Sequence, residues 1–128
     1  MSMKQILVVG AGSVGGFFGA HLAKGNPNVS FLLRPNTLAA VTQNGLTIRS
    51  ASGTFTVRPQ AASDARVLPK PDLIILGVKA YNLDEVMDQI EPVVSAKTVL
   101  LTLQNGIDNG DRLIARFKRD CVVGGVAY

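Results

Sequence analysis

The stretch QILVVGAGSVG at residues 5–15 decides the fold predicted for this chain. Gln5–Val9 is a short apolar run rich in β-branched residues, which is typical of a strand buried on both faces. Three glycines follow in the spacing G-x-G-x-x-G, and apolar residues then recur at helical spacing from Val14 to Leu22. A strand, a glycine-rich turn and an amphipathic helix in this order predict the start of a βαβ unit.

Outward from this unit, apolar strands alternate with helical segments. Further strands are predicted at Val29–Leu33, Leu73–Gly77, Thr98–Leu103 and Cys121–Val126. Helices are predicted at Asn36–Gln43, at Leu83–Ile90 and from near Asp108 to Phe117. Two alternating segments, Leu46–Arg49 and Thr54–Arg58, flank a Ser-Ala-Ser-Gly turn and predict a β-hairpin. The segment Ala61–Pro71 shows no periodicity and is interpreted as a connector.

This alternation predicts an α/β fold with a doubly wound, mostly parallel, Rossmann-like sheet in three layers. We expect five core strands and a β-hairpin insertion around residues 46–58. The chain has 128 residues, of which 47% are hydrophobic and 17% are charged. That composition suits one domain, residues 1–128, with a substantial core, and it excludes a disordered chain.

Several classes of protein are excluded by what the sequence lacks. The apolar runs are far shorter than the ~20 residues that cross a bilayer, and the first residues lack the pattern of a signal peptide. Cys121 and His21 are the only residues of their types, so neither an internal disulfide nor a metal site built on those ligands is expected. Cys121 lies in an apolar run, which favours a buried small side chain over a nucleophile. We expect a cytoplasmic protein with no metal and no membrane partner.

The charges are divided unevenly along the chain. Residues 1–63 carry five basic side chains and no acid, because the first carboxylate is Asp64. A basic half can serve nucleic acid, a membrane surface or a phosphorylated ligand. Five scattered charges without an aromatic ladder argue against nucleic acid. A small phosphorylated ligand is the interpretation that remains.

The glycine motif supplies a cradle for such a phosphate. Gly10 permits the tight turn, Gly12 lets a pyrophosphate approach the backbone, and Gly15 lets the helix pack closely on the strand. Gly19, one turn on, keeps the same face of the helix small. The amide groups at the start of the helix would then meet the anion. The predicted cofactor-binding residues here are Gly10, Ala11, Gly12, Ser13, Val14 and Gly15; the alternative is a glycine-rich turn that binds nothing.

Arg34 indicates which dinucleotide would bind. In dinucleotide folds a carboxylate about twenty residues past the glycines holds the 2′-hydroxyl of NAD, whereas an arginine accepts the 2′-phosphate of NADP. Arg34 lies twenty-two residues past Gly12, after the second strand, and no carboxylate precedes Asp64 to repel a phosphate there. The sequence therefore predicts NADP(H) as the cofactor. The alternative is a solvated arginine at a strand end.

Two further polar side chains follow strands that end at the same edge of the sheet. Lys79, with Val78, follows the predicted strand Leu73–Gly77, while Asn105, with Gln104, follows the next strand. Ligands of open α/β sheets bind outside the carboxyl ends of the strands. A lysine there can bind a carboxylate or polarise a carbonyl, and an asparagine can donate and accept hydrogen bonds. A solvated loop lysine and an ordinary Asn-Gly turn are the alternatives.

Taken in order, these motifs resemble a known family. Gly10–Gly15 with Arg34, GVKAY at residues 77–81, QNG at 104–106 and GGVAY at 124–128 are similar to the N-terminal domain of the ketopantoate reductases, or 2-dehydropantoate 2-reductases. The resemblance implies NADPH-dependent reduction of 2-dehydropantoate to (R)-pantoate in pantothenate biosynthesis. It also implies that Arg34 binds the 2′-phosphate and that the catalytic candidates Lys79 and Asn105 face the nicotinamide and the substrate.

One part of the family pattern has no counterpart here. The resemblance implies a helical C-terminal domain that supplies a further lysine, as the catalytic acid, and contacts to the 2-keto acid substrate. We therefore interpret the chain as the cofactor-binding domain alone, which binds NADPH with little or no turnover. A homodimer or the C-terminal domain would provide the other side of the cleft. The alternatives are a non-catalytic NADP-binding module and a reductase of another 2-keto acid.

Overall fold

A computed structural model describes residues 4–10, 19–77, 83–102, 109–117 and 122–124. Within these ranges the strands are β1 Ile6–Val9, β2 Val29–Leu32, β3 Leu46–Ser50, β4 Gly53–Val57, β5 Gln60–Ala62, β6 Leu73–Leu76, β7 Val99–Thr102 and β8 Val122–Gly124. The helices are α1, described over residues 19–23, α2 Pro35–Asn44, α3 Leu83–Ile90 and α4 Asn109–Arg116. Short 3₁₀ turns occupy Ala65–Val67 and Glu91–Val93.

Six of the strands form one parallel sheet in the order β5-β2-β1-β6-β7-β8. The chain first runs outward from β1 to β2 and β5, then returns to β6 on the other side of β1 and runs outward again. This confirms the doubly wound Rossmann-like fold, and its switch point lies between β1 and β6. The hairpin is also confirmed, since β3 and β4 pair antiparallel as a separate two-stranded sheet.

Side chains of the central strands alternate between two hydrophobic cores. Leu7 and Val9 of β1 pack in one core with Val86 and Ile90 of α3. Val8, between them, faces the other core. That second core also holds Leu38 and Val41 of α2, with Ala23 of α1. Helices therefore cover both faces of the sheet, which confirms the three layers and explains why the parallel strands consist almost wholly of apolar residues.

The expectation of a structureless connector from Ala61 is wrong at its start. Residues 60–62 form β5, which pairs in parallel with β2, so within the described residues the sheet has six strands rather than five. Beyond the strand, the amide of Leu33 donates to the carbonyl oxygen of Ala62 at 2.9 Å. The strand is only three residues long and consists of Gln and Ala, so no apolar pattern marks it, and pairing with β2 stabilises it instead.

The hairpin packs on α1 through one aromatic side chain. The ring of Phe55 lies edge-on to His21, with 4.9 Å between the centroids. The ammonium of Lys24 lies 4.7 Å from the centre of the same ring, within the range of a cation–π contact. The lone histidine and one of the five basic residues of the first half thus hold the hairpin to α1. In the part of the chain that the structure describes, no helix has the length and apolar character needed to traverse a membrane.

Candidate functional site

The carboxyl ends of β1, β2 and β6 lie side by side at one edge of the sheet. Val9, Leu32 and Leu76 end these strands, and Val9 is in register with both of the others. Beyond the strands, the amide of Gly10 donates to the Leu32 carbonyl oxygen at 3.0 Å, and the amide of Gly77 donates to that of Val9 at 3.4 Å. The polar segments predicted to form the site therefore leave the sheet from adjacent strands.

Gly10 makes the turn that the glycine motif predicts. Its φ is +89°, in the left-handed region that favours glycine because a Cβ would clash there. The remaining predicted cradle residues, Ala11, Gly12, Ser13, Val14 and Gly15, lie outside the described residues.

Gly19 confirms the expectation of a small face on α1. A Cβ built on Gly19 would lie 2.6 Å from the Cζ of Phe31 and 3.0 Å from a methyl carbon of Val8. Real Cβ contacts are longer than this, so only glycine allows α1 to lie this close to β1 and β2. The close packing holds the helix that follows the glycine motif directly against the sheet.

Arg34 lies between β2 and α2, and the residue that follows it begins the helix. Pro35 occupies the first position of α2, where its fixed φ suits a helix and its missing N–H is not needed. Arg34 keeps an extended backbone (φ −68°, ψ 154°), and its carbonyl oxygen accepts from the amide of Leu38 at 2.8 Å. Its side chain is 62% exposed. Arg34 thereby lies at the carboxyl edge, after the strand that pairs with β1.

The structure places a carboxylate against Arg34 that the sequence did not lead us to expect there. Nη2 of Arg34 donates to Oε2 of Glu85 at 3.0 Å, and the Glu85 side chain is 54% exposed. Glu85 belongs to the first turn of α3. The inference that no acid is available near Arg34, drawn from the acid-free first half of the chain, is therefore wrong. The acid comes from a position 51 residues further along the chain.

This ion pair crosses the central strand. Arg34 follows β2 and Glu85 follows β6, and these two strands flank β1 on opposite sides. The pair therefore spans the carboxyl end of β1, where Gly10 begins the glycine motif. A signal for Glu85 existed in the sequence, because an acid in the first helical turn after a strand lies at the carboxyl edge. Acids are also favoured there by the helix dipole, so the signal is ambiguous.

A second set of ion pairs holds α3 to α4. Arg116 of α4 contacts Asp88 Oδ1 at 2.6 Å and Glu91 Oε1 at 3.2 Å. The hydrogen bonds that Arg116 donates to the carboxylates of Glu91 and Asp88 raise the pKa of its guanidinium. In the 3₁₀ turn at Ala65–Val67, which contacts the turn that carries Glu91, hydrogen bonds from Arg66 lower the pKa of Asp64. Arg116 thus fixes the helix that carries Glu85.

The other predicted site residues lie outside the described ranges. These are Val78, Lys79, Gln104 and Asn105; Cys121, predicted to be a buried small side chain, also lies outside them. Their strands are where the sequence placed them, because β6 ends at Leu76 and β7 at Thr102. Among the described residues, no cluster of three or more His, Cys, Asp or Glu could hold a metal ion.

An open depression of about 390 Å³ lies away from this edge. It is lined by residues 23, 25–27, 29 and 57–60, next to the amino ends of β2 and β5. Ligands of open α/β sheets bind at the carboxyl ends of the strands, so the chemistry of Gly10 and Arg34 locates the site better than the size of this depression.

Comparison with known proteins points in the same direction as the geometry. The chain is 32% identical over 124 residues to the uncharacterized oxidoreductase YkpB of Bacillus subtilis, covering 97% of this chain and 41% of that protein. It is 29% identical to the 2-dehydropantoate 2-reductase of Nostoc, covering 100% of this chain and 40% of the relative. The chain therefore spans about two fifths of the length of these relatives.

A solved structure agrees in fold. The 2-dehydropantoate 2-reductase of Geobacter metallireducens superposes with a TM-score of 0.88 at 34% sequence identity, covering 97% of this chain and 41% of that one. The family model for ketopantoate reductase PanE/ApbA matches residues 6–128. That match runs from the first residue of β1 to the last residue of the sequence. The chain belongs to the PanE/ApbA ketopantoate reductase family.

Proposed function

We propose that this chain is the coenzyme-binding domain of an NADPH-dependent reductase that converts 2-dehydropantoate to (R)-pantoate. The observation that carries the proposal is the position of Arg34. It follows β2, next to β1 and the Gly10 turn, at the edge where doubly wound sheets bind dinucleotides. Membership of the ketopantoate reductase family supports the substrate.

Each group of the coenzyme would meet a different part of the edge. The pyrophosphate would lie on the backbone amides of Gly12–Gly15, at the start of α1. The guanidinium of Arg34 would bind the 2′-phosphate by paired charged hydrogen bonds, a geometry that suits arginine. The bound coenzyme supplies a hydride for the keto carbon of the substrate.

Lys79 and Asn105 are the residues proposed to act at the reacting end. They would orient the nicotinamide and the keto acid, with Val78 and Gln104 lining the same end of the cleft. Lys79 can hold the substrate carboxylate or stabilise the developing alkoxide, and Asn105 can both donate and accept hydrogen bonds. The proton for the alkoxide would come from the family's C-terminal domain. On its own the chain is expected to bind NADPH and to turn over little substrate.

The coenzyme assignment is tested by titrating the chain with NADPH and NADH and following the nicotinamide fluorescence. Tighter binding of NADPH is expected, because only NADPH carries the 2′-phosphate that Arg34 would bind. Equal or tighter binding of NADH would contradict the assignment.

The reaction is tested separately, in a protein that joins this chain to a C-terminal domain of the family. Oxidation of NADPH with 2-dehydropantoate is expected. Oxidation only with a different 2-keto acid would identify a related reductase, and binding without any turnover would identify a non-catalytic module.

A further inference from the structure

We propose that Glu85 is a coenzyme-specificity residue whose carboxylate competes with the 2′-phosphate for Arg34. In this way it limits the preference for NADPH over NADH. The inference deepens the proposed function and rests on it, since it assumes that a dinucleotide binds at this edge. It concerns a residue of α3, outside the glycine motif and outside the second strand, where the fold ordinarily places the choice of coenzyme.

The first argument is the position of the carboxylate on the guanidinium. Oε2 of Glu85 accepts from Nη2 of Arg34 at 3.0 Å. A phosphate oxygen would seek the same N–H donors at a similar distance, because carboxylates and phosphates are both anionic acceptors for arginine. Glu85 thus occupies one of the places that the 2′-phosphate would take. Binding of NADPH must either displace the carboxylate or bring two anions together around one cation.

The second argument is that the contact lies across the path of the ligand. Arg34 and Glu85 approach from β2 and from α3, on opposite sides of β1. The adenosine half of a dinucleotide lies at the carboxyl end of the second strand of such a sheet. The ligand that would separate the pair is therefore the one that the edge is built to hold.

The third argument is that the fold holds α3, and with it Glu85, in place. Val86, Met87 and Ile90 bury the opposite face of α3 in the core, each with 5% or less of its surface exposed. Arg116 ties the C-terminal half of the helix to α4 through Asp88. Because α3 is anchored along its length, the carboxylate can swing away from Arg34 but cannot leave the edge.

The exposure of the Arg34 and Glu85 side chains limits how strongly Glu85 can weaken phosphate binding. Both side chains are more than half exposed, so solvent and salt weaken the pair and Glu85 can only reduce phosphate binding, not prevent it. A coenzyme that lacks the 2′-phosphate meets no such conflict, and its 2′-hydroxyl can donate to the carboxylate. Glu85 therefore lowers the affinity for one coenzyme and leaves the other nearly unchanged.

The test compares Glu85→Gln with Glu91→Gln in this chain. Both variants remove one negative charge from an exposed carboxylate that is paired with an arginine, but Glu91 lies in the 3₁₀ turn after α3, beyond the end opposite Glu85. The probes are adenosine 2′,5′-bisphosphate and AMP, which differ only in the 2′-phosphate, and binding is measured by calorimetry. Glu85→Gln is expected to bind the bisphosphate about fourfold more tightly than the original chain and AMP within about twofold. Glu91→Gln is expected to change neither affinity.

Salt provides an independent readout of the same effect. The gain in Glu85→Gln should shrink as sodium chloride rises from about 0.05 to 0.5 M, because the repulsion that it removes is screened. If the original chain prefers the bisphosphate but Glu85→Gln leaves that affinity unchanged or weakens it, the competition is refuted and the proposed function stands. If the original chain shows no preference for the bisphosphate over AMP, the proposed coenzyme fails and this inference fails with it.

Discussion

The two edges of the six-stranded sheet are built differently. At the amino edge, polar groups are tied to one another: Asp72 Oδ2 accepts from the amide of Gln5 at 2.9 Å, and buried Thr98 donates to the carbonyl oxygen of Pro71. At the carboxyl edge, Gly10 has a positive φ and Arg34 is 62% exposed. The amino edge therefore stabilises the sheet, while the carboxyl edge holds the groups that we propose to bind the coenzyme.

The two edges are therefore expected to respond differently to substitution. Changes at the amino edge are expected to alter the free energy of unfolding and to leave coenzyme binding alone. Changes at the carboxyl edge are expected to do the reverse.

The largest effect is expected at Gly19, where a substitution should lower both stability and coenzyme affinity. Gly19→Val places side-chain atoms inside contact distance of the Phe31 ring and pushes α1 away from the sheet. The free energy of unfolding should fall by about 3 kcal/mol. NADPH binding should weaken as well, because α1 follows the glycine motif. Chemical denaturation and coenzyme titration measure the two effects.

Ala39→Val is the control for Gly19→Val, because Ala39 lies on an exposed part of α2. It should lose only helix propensity, which is a few tenths of a kcal/mol. Gly19→Ala is the milder second variant if Gly19→Val does not fold. An unchanged free energy of unfolding in both Gly19 variants would contradict the close packing.

The next largest effect is expected at Arg34. Arg34→Ala removes the cation proposed to bind the 2′-phosphate, so NADPH affinity should fall about thirtyfold, a loss of about 2 kcal/mol. NADH affinity should stay within about twofold, and stability should hardly change because the ion pair with Glu85 is exposed.

Arg49→Ala is the matched control for Arg34→Ala. It removes the same charge from an exposed position on the hairpin and should alter neither affinity. An equal loss of NADPH and NADH affinity in Arg34→Ala would show that Arg34 does not recognise the 2′-phosphate.

The smallest effect is expected at Thr98, on the amino edge. Thr98 is fully buried, accepts from the amide of Ser95 at 2.9 Å and donates to the Pro71 carbonyl oxygen at 3.3 Å. Thr98→Val keeps the shape but leaves both partners unsatisfied, which should cost about 1.5 kcal/mol of stability.

NADPH affinity should not change in Thr98→Val. Thr56→Val, which removes an exposed hydroxyl that pairs with Thr47 on the hairpin, serves as the control and should be nearly neutral. A loss of NADPH affinity in Thr98→Val that exceeds the control would show that the edges are not independent.

The fold was predictable where a strand is buried on both faces, because burial requires apolar residues there. β1, β2, β6 and β7 are enclosed between two layers of helices, so their apolar runs mark them in the sequence. β5 was not predictable, because pairing with β2 rather than an apolar pattern makes it a strand. Gly19 was predictable from its place one turn after the motif, since close packing of helix on strand requires a residue without a Cβ there.

The candidate site was predictable only in part. Arg34 could be located by its distance from the glycines, because the length of the βαβ unit is nearly constant. Its contact with Glu85 could not, since it joins residues 51 apart and depends on which strands flank β1. Charge along the chain is therefore a poor guide to charge around a side chain, as the acid-free first half of this chain illustrates.

The central claim is that the carboxyl edge is an NADPH site with Arg34 on the 2′-phosphate. A crystal structure of the chain with NADPH tests it most directly. The account predicts the 2′-phosphate within hydrogen-bond distance of the Arg34 guanidinium, the pyrophosphate on the backbone of residues 12–15, and Glu85 turned away from Arg34. A dinucleotide bound elsewhere, or bound here with Arg34 still paired to Glu85 and no contact to the phosphate, would contradict it.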